Sequence, residues 1–246
     1  MENAPHAYPR IIDFESVSNF RDLGGYRTRD GRTIAWRRLF RSGELQKITK
    51  GELRKLRDEI RINSVIDLRS NIEIGERGRG IISETNIKYF NVAVVPETTT
   101  SPRKLSEPRF QGITNMGEVY LNQAVTSAFG NGIIKALNLI AESENYPLLF
   151  CCYAGRDRSG MLAAILLSIL DVSQEDIVAD YCLSNYNAEV LLRSPEMPEW
   201  YLKTQRKSMD VFLSGLNLKY GSVKGYVAAQ GADPSLFHRL EKGLLI

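Results

Sequence analysis

Apolar residues along this chain fall into two rhythms: short runs bounded by turn residues, and longer stretches with apolar positions three and four apart. The first rhythm predicts buried strands over 64–68 and 146–151, with a further strand around 87–95. The second predicts a helix over 49–60, with Leu53, Leu56 and Ile60 on one face, and helices over 117–129 and 133–141. Residues 159–169 hold almost no polar side chain, which predicts a helix surrounded by core. Ser173 with Asp176 makes a capping box that opens a helix running to Tyr186. Asp233 and Pro234 supply an N-cap and a first-turn proline for the last helix. Strands alternating with helices define an α/β chain.

Turn chemistry punctuates these elements. Gly24 and Gly25 end the segment 19–25 in a corner, and Asp30-Gly31, flanked by Tyr26 and by Thr33 to Trp36, predicts a hairpin. Residues 96–115 mix serine, threonine, proline and scattered charge and read as an irregular loop beside a pocket. Over 195–220, Met197, Trp200, Tyr201, Met209, Phe212, Leu213 and Leu216 recur at helical spacing. Such a stripe is usually core; a helical lid over a site is the sharper alternative. Residues 1–15 read as a flexible arm and 16–246 as one domain, long enough to bury a single core.

The strand at 146–151 and the helix at 159–169 bracket Cys152-Tyr153-Ala154-Gly155-Arg156-Asp157-Arg158-Ser159-Gly160, in which five residues separate cysteine from Arg158. A loop this short, closing on a helix N-terminus, turns several backbone N–H groups towards one point where the helix dipole also favours an anion. Tyr153, Ala154, Gly155, Arg156, Ser159 and Gly160 are therefore candidate phosphate binders. The same field favours a thiolate over a thiol at Cys152, the candidate nucleophile. Arg158 offers a planar fork that matches two phosphoryl oxygens. Ser159, also a natural N-cap, can bond the sulfur. A leaving oxygen needs a proton, so a carboxylic acid must stand nearby. Asp157 in the loop is the first candidate. Asp67, with Arg69 at the C-terminal end of a predicted strand, is the second, and it also reads as a structural carboxylate that orients an arginine. Two other readings stay open: a catalytically weak domain that captures phosphorylated ligands, and a rhodanese-like sulfurtransferase. The neighbouring Cys151 could also trap oxidised Cys152 as a vicinal disulfide.

Charge and cysteine content narrow the setting. Lys and Arg total 32 against 29 Asp and Glu, a net charge of +3 that gives no ground for a nucleic-acid partner. Basic residues gathered within 27–61 read as a solvated face, with peripheral contact to an anionic membrane as the alternative. No apolar run is long enough to form a transmembrane segment. Cys151, Cys152 and Cys182, odd in number and two of them adjacent, suit a reducing cytoplasm better than a disulfide framework. With His6 and His238 the only histidines, no zinc ligand set is evident, and the expected chemistry calls for no metal or other cofactor.

These motifs together resemble the atypical bacterial and fungal tyrosine phosphatases. That family's loop, His-Cys-x-x-Gly-Lys-Asp-Arg-Thr/Ser-Gly, is matched at Cys152, Gly155, Asp157, Arg158, Ser159 and Gly160. Its Asn-Phe-Arg-Asp-Leu-Gly-Gly segment is matched at 19–25, followed in order by Leu39-Phe40-Arg41-Ser42-Gly43, Val65-Ile66-Asp67-Leu68-Arg69-Ser70 and Asp180-Tyr181, so the resemblance covers roughly 14–240. It implies a single-domain cysteine-phosphatase fold, a central mostly parallel sheet flanked by helices, with a helical lid as in a mycobacterial member. It also implies hydrolysis of phosphotyrosine, and of phosphoserine, phosphothreonine or phosphoinositide monoesters, through a phosphocysteine intermediate. Two positions depart. Cys151 stands where the family has histidine, which removes hydrogen bonding to the loop. Arg156 stands where it has lysine, which keeps the charge but not the compact ammonium that accompanies phosphoinositide activity.

Overall fold

In the computed structural model the described residues are 8–96, 112–184 and 199–246. Strands β1 (Arg21–Asp22), β2 (Leu39–Ser42), β3 (Ser64–Asp67), β4 (Lys88–Asn91) and β5 (Leu148–Cys151) form one sheet in the order β1-β2-β5-β3-β4. Only β1 runs antiparallel to its neighbour. The register sets Ser42 and Asp67 on either side of Cys151, so three parallel strands end level at one edge. Ligands of open α/β sheets bind beyond that edge.

The middle strands are apolar on both faces because both faces are covered. Leu39, Ile66, Leu148 and Phe150 face one layer, which also holds Cys152; Phe40, Val65, Leu149 and Cys151 face the other, with Val17, Phe20, Leu56 and Ile62. Residue alternation along a strand thus sends Cys151 and Cys152 to opposite sides.

Helix α1 (Lys50–Arg54), capped by Thr49 and Glu52, continues as a π-helical turn at Lys55–Glu59, which fills the predicted span. Helix α2 (Asn71–Arg77) follows β3. The apolar segment before β5 forms two helices, α3 (Met116–Ala124) and α4 (Ser127–Ala141), bent by 84° from each other. The predicted boundary lay farther on, but Thr126 accepts a bond from the Phe129 N–H and starts the second helix at 127. Helix α5 (Arg158–Ile169) is buried at every position but Ser168, hence its lack of a polar face. Helix α6 (Gln174–Cys182), capped by Ser173, ends before the predicted limit; residues 185–186 lie outside the described ones. Helices α7 (Glu199–Leu202), α8 (Arg206–Tyr220), α9 (Val223–Ala229) and α10 (Ser235–Leu244) complete the chain. Helix α10 begins one residue later than predicted, with Pro234 rather than Asp233 at the N-cap position; the Asp233 carboxylate accepts from the Ser235 N–H at 2.8 Å.

The stripe at Met209, Phe212, Leu213 and Leu216 is core, whereas Met197 and residues 97–111 of the predicted 96–115 loop lie outside the described residues. Residues 8–15 run beside β1: Ile12 donates to Phe20, and Arg10 lies over the Tyr26 ring. Among the described residues no single helix is long and apolar enough to cross a membrane; α3 and α4 meet that length and composition only together.

Candidate active site

The chain leaves β5 at Cys151 and reaches α5 at Arg158 through a loop whose carbonyls are tied from outside. Asn19 Nδ2 donates to the Ala154 carbonyl at 2.9 Å, and Arg41 Nη2 donates to those of Gly155 at 2.9 Å and Arg156 at 3.3 Å. The Glu44 N–H donates to the Tyr153 carbonyl at 3.2 Å. With the carbonyls drawn outward, the intervening N–H groups face the concave side, as an anion requires. Gly155 makes this path feasible. Its φ is +69°, and a Cβ there would lie 2.5 Å from the Ser42 carbonyl carbon and the Gly43 nitrogen. The segments at 19–25 and 39–43 therefore buttress the loop, which is more than the corner that sequence alone indicates.

Cys152 is buried, and its sulfur lies 3.4 Å from the Ser159 hydroxyl in the first turn of α5. Arg158 turns its fork to Glu73, with Nη2 to Oε1 at 2.8 Å and Nη1 to Oε2 beside it. Burial works against the Arg158 charge; the Glu73 hydrogen bonds and the negative charges at Cys152, Glu73 and Asp67 outweigh it and raise the group above the usual guanidinium range. Sequence reading passed over Glu73. It is fully buried and also completes the capping box of α2, accepting from the Ser70 N–H at 2.9 Å while its own N–H donates to the Ser70 hydroxyl at 3.1 Å. The Ser-x-x-Glu pattern at 70–73, directly after the strand that ends in Asp67, was the available signal.

The two candidate acids sit in different surroundings. Asp67 is buried and saturated: it accepts from the Arg69 N–H and guanidinium and, at 2.6 Å, from the Tyr89 hydroxyl. Arg69 also donates to Glu44 at 2.8 Å, and Glu44 is gripped by Arg77, whose guanidinium covers the half-buried Tyr153 ring at 4.5 Å. Asp157 immediately precedes α5 and keeps 22% of its side chain exposed. It accepts from Tyr120 and from Arg156 Nε at 3.1 Å. The Tyr120 and Tyr181 hydroxyls meet at 2.8 Å, and burial beside Asp157 pushes the Tyr120 hydroxyl well up, so it stays a proton donor. The Arg156 guanidinium is directed to Asp157 and, at 2.8 Å, to the Leu202 carbonyl of α7. Gly160 lets Arg41 and Tyr181 approach: a Cβ there would stand 3.3 Å from Arg41 Nη2 and 3.2 Å from the Tyr181 ring.

Burial and the nearby Asp67 charge push the Cys151 thiol well up, so it stays protonated beneath the sheet. Facing the opposite layer from Cys152, it is not placed to form the vicinal disulfide considered from sequence.

A cysteine sulfur in a loop of inward-facing amides, at a helix N-terminus and closed by an arginine, defines a cysteine-dependent phosphatase. The chain belongs to the tyrosine phosphatase family, whose sequence profile matches residues 12–246. It is 27% identical, over 88% of its length and 82% of the relative's, to a provisionally named tyrosine-protein phosphatase of Cupriavidus necator. It is also 27% identical, over 96% of its length and 99% of the relative's, to the triple specificity protein phosphatase PtpB of Mycobacterium tuberculosis. Among solved structures, the core catalytic domain of the S. cerevisiae PP-IP phosphatase SIW14 aligns with a TM-score of 0.41 at 14% identity, covering 76% of this chain and 90% of that one. The protein is thus a phosphoric monoester hydrolase of the tyrosine-phosphatase type, and its substrates are phosphorylated molecules.

Proposed function

We propose that Cys152 attacks the phosphorus of a phosphotyrosine side chain and that water then releases phosphate from the resulting phosphocysteine. The observation that carries this reading is the Cys152 sulfur 3.4 Å from the Ser159 hydroxyl, below a loop whose carbonyls are bonded outward to Asn19, Glu44 and Arg41. Amides from Tyr153 to Gly160 hold the equatorial oxygens, and Arg158, aimed by Glu73, grips two of them. Ser159 donates to the sulfur when phosphate leaves. Asp157 protonates the leaving oxygen: it is the exposed one of the two candidate carboxylates, while the lone pairs of Asp67 are engaged by Arg69 and Tyr89. Phosphoserine and phosphothreonine are further substrates implied by the family resemblance, as are phosphoinositides, although Arg156 in place of lysine weakens that last inference; the mycobacterial relative is itself named for triple specificity. The reading assigns catalysis to a domain over 16–246 with an arm at 1–15, in a reducing cytoplasm that suits its three cysteines.

Hydrolysis of p-nitrophenyl phosphate tests the assignment. Activity that is insensitive to chelators, abolished in Cys152→Ser and reduced at least about 10²-fold in Arg158→Ala is expected. Asp157→Asn should cost far more with phenyl phosphate, whose leaving group needs a proton, than with p-nitrophenyl phosphate. An equal loss on both substrates, or the leaving-group effect in Asp67→Asn instead, refutes the choice of acid.

A further inference from the structure

Most ionised groups around the loop are balanced one to one. Among the described residues, Arg158 faces Glu73, Arg156 faces Asp157, Asp67 faces Arg69, and Glu44 takes Arg77. Beneath the loop the balance fails. Arg21 Nε meets Asp180 Oδ1 at 3.0 Å and Arg41 Nη1 meets Oδ2 at 2.8 Å, so two guanidiniums share one carboxylate, and all three residues are buried. The Tyr26 hydroxyl donates to Asp180 at 3.1 Å and adds no charge, because burial and Asp180 raise it far above neutrality. Arg10, whose charge also reaches Asp180, sits beside the Asp22 carboxylate. Among the described residues, two buried positive charges thus share one carboxylate, leaving one in excess, and burying an unbalanced charge is costly.

The position of Arg41 identifies what offsets it. Phe40 faces the opposite layer, so Arg41 points to the side of Phe150, its register partner on β5, and of Cys152 two residues farther on. Its Nη2 already lies against the loop at Gly155, Arg156 and Gly160, while its Nε is buried without a hydrogen-bond partner. Burial and the repulsion of Arg21 bring the Arg41 guanidinium down to about 10, opposed by Asp180 and by the sulfur of Cys152. The Cys152 charge reaches Arg158 as well, but Arg158 has a carboxylate of its own in Glu73, whereas Arg41 shares Asp180 with Arg21.

We propose that Arg41 is a positioning residue whose unbalanced buried charge is the resting counter-ion of the Cys152 thiolate, leaving Arg158 free for the substrate. This rests on Cys152 being the nucleophile. With the thiolate in place, the buried charges beneath and around the loop cancel.

The test follows the rate of inactivation by iodoacetamide against pH, read as residual p-nitrophenyl phosphate hydrolysis. A Cys152→Ser protein that still turns over substrate defeats the nucleophile reading, and this proposal with it. If that variant is inactive, the Arg41 and Asp180 variants decide the proposal alone. Arg41→Gln should raise the midpoint of inactivation by about 1 to 3 pH units, as expected for losing an opposite charge nearby. Arg41→Lys should leave it near wild type. Asp180→Asn, which strands a second positive charge, should lower it. Opposite shifts separate an electrostatic role from a loosened loop, which would move both midpoints the same way. An unchanged midpoint in Arg41→Gln, or parallel shifts in Arg41→Gln and Asp180→Asn, overturns the proposal. If circular dichroism shows Arg41→Gln unfolded, the other two variants decide: an Asp180→Asn midpoint at or above wild type, or an Arg41→Lys midpoint clearly above it, overturns it as well.

Discussion

Glu73 is expected to matter as much as any residue inside the loop. It is fully buried, and its two carboxylate oxygens each take one guanidinium nitrogen of Arg158. Glu73→Gln keeps the shape and leaves a carbonyl oxygen that can still accept from the Ser70 N–H, so the cap of α2 survives while the fork on Arg158 is halved. Removing one partner of a buried ion pair costs about 3–5 kcal/mol. For a chain of this size each kcal/mol is worth about 2–4 °C, so thermal melting should fall by roughly 6–20 °C. Glu73→Ala also deletes the cap and should lose about 1 kcal/mol more. With Arg158 proposed to grip both bound phosphate and transition state, kcat/KM for p-nitrophenyl phosphate should drop by about 10²-fold in Glu73→Gln, comparable to losing one oxyanion donor, with the inhibition constant for inorganic phosphate rising too. Differential scanning fluorimetry and steady-state kinetics provide the measurements. A Glu73→Gln protein with wild-type kcat/KM, in a background where Arg158→Ala is inactive, would show that Arg158 orients itself without Glu73.

At neutral pH iodoacetamide should label Cys152 and leave Cys151 untouched, because burial and Asp67 keep the latter protonated; mass spectrometry showing equal labelling of the folded protein refutes this. Gly155→Ala should lower kcat/KM at least tenfold and destabilise the fold by about 1–3 kcal/mol, since the left-handed φ and the 2.5 Å approach to β2 leave no space for a methyl group; wild-type kinetics would contradict it. Asp180 is buried, which alone would raise its pKa, but Arg21 and Arg41 hold it down to about 2 from 3.8. A carboxylate depressed in the folded state stabilises above its unfolded value and loses that contribution as pH falls through the folded one. Some 2–3 kcal/mol, by order of magnitude, should therefore disappear between about pH 4 and pH 2, and urea titrations should show this acid limb flattened in Asp180→Asn. Parallel limbs in the two proteins would refute it.

What the sequence reveals and what it conceals divide by range of interaction. Strands β3 and β5, helix α5 and the loop between β5 and α5 are legible because each is written in consecutive residues: apolar runs, turn glycines and the five-residue gap between Cys152 and Arg158. The supports of that loop are not local. Glu73 lies 85 positions from Arg158, Tyr120 lies 37 from Asp157, and Asn19 and Arg41 lie 135 and 114 from the carbonyls they bind. No periodicity links such pairs; only the sheet order, which brings β2 and β3 against β5, makes them neighbours. Helix boundaries were obscured for the opposite reason. The apolar pattern is continuous across Val125 and Thr126, and one hydroxyl accepting from the Phe129 N–H decides where α4 begins.

The replacement of histidine by Cys151 is informative in the same terms. From sequence it removes hydrogen bonding from the loop. In the fold, Cys151 is locked by parallel register between Ser42 and Asp67, with its sulfur in the apolar layer of Leu149 and Val65. A small, protonated side chain fits that layer without a polar partner, whereas a ring nitrogen there would need one. The loop takes its outward bonds from Asn19, Arg41 and the Glu44 amide, none of which depends on the side chain at 151. The inward-facing amides can therefore persist without the histidine, because their orientation is fixed by the residues that pull the carbonyls the other way.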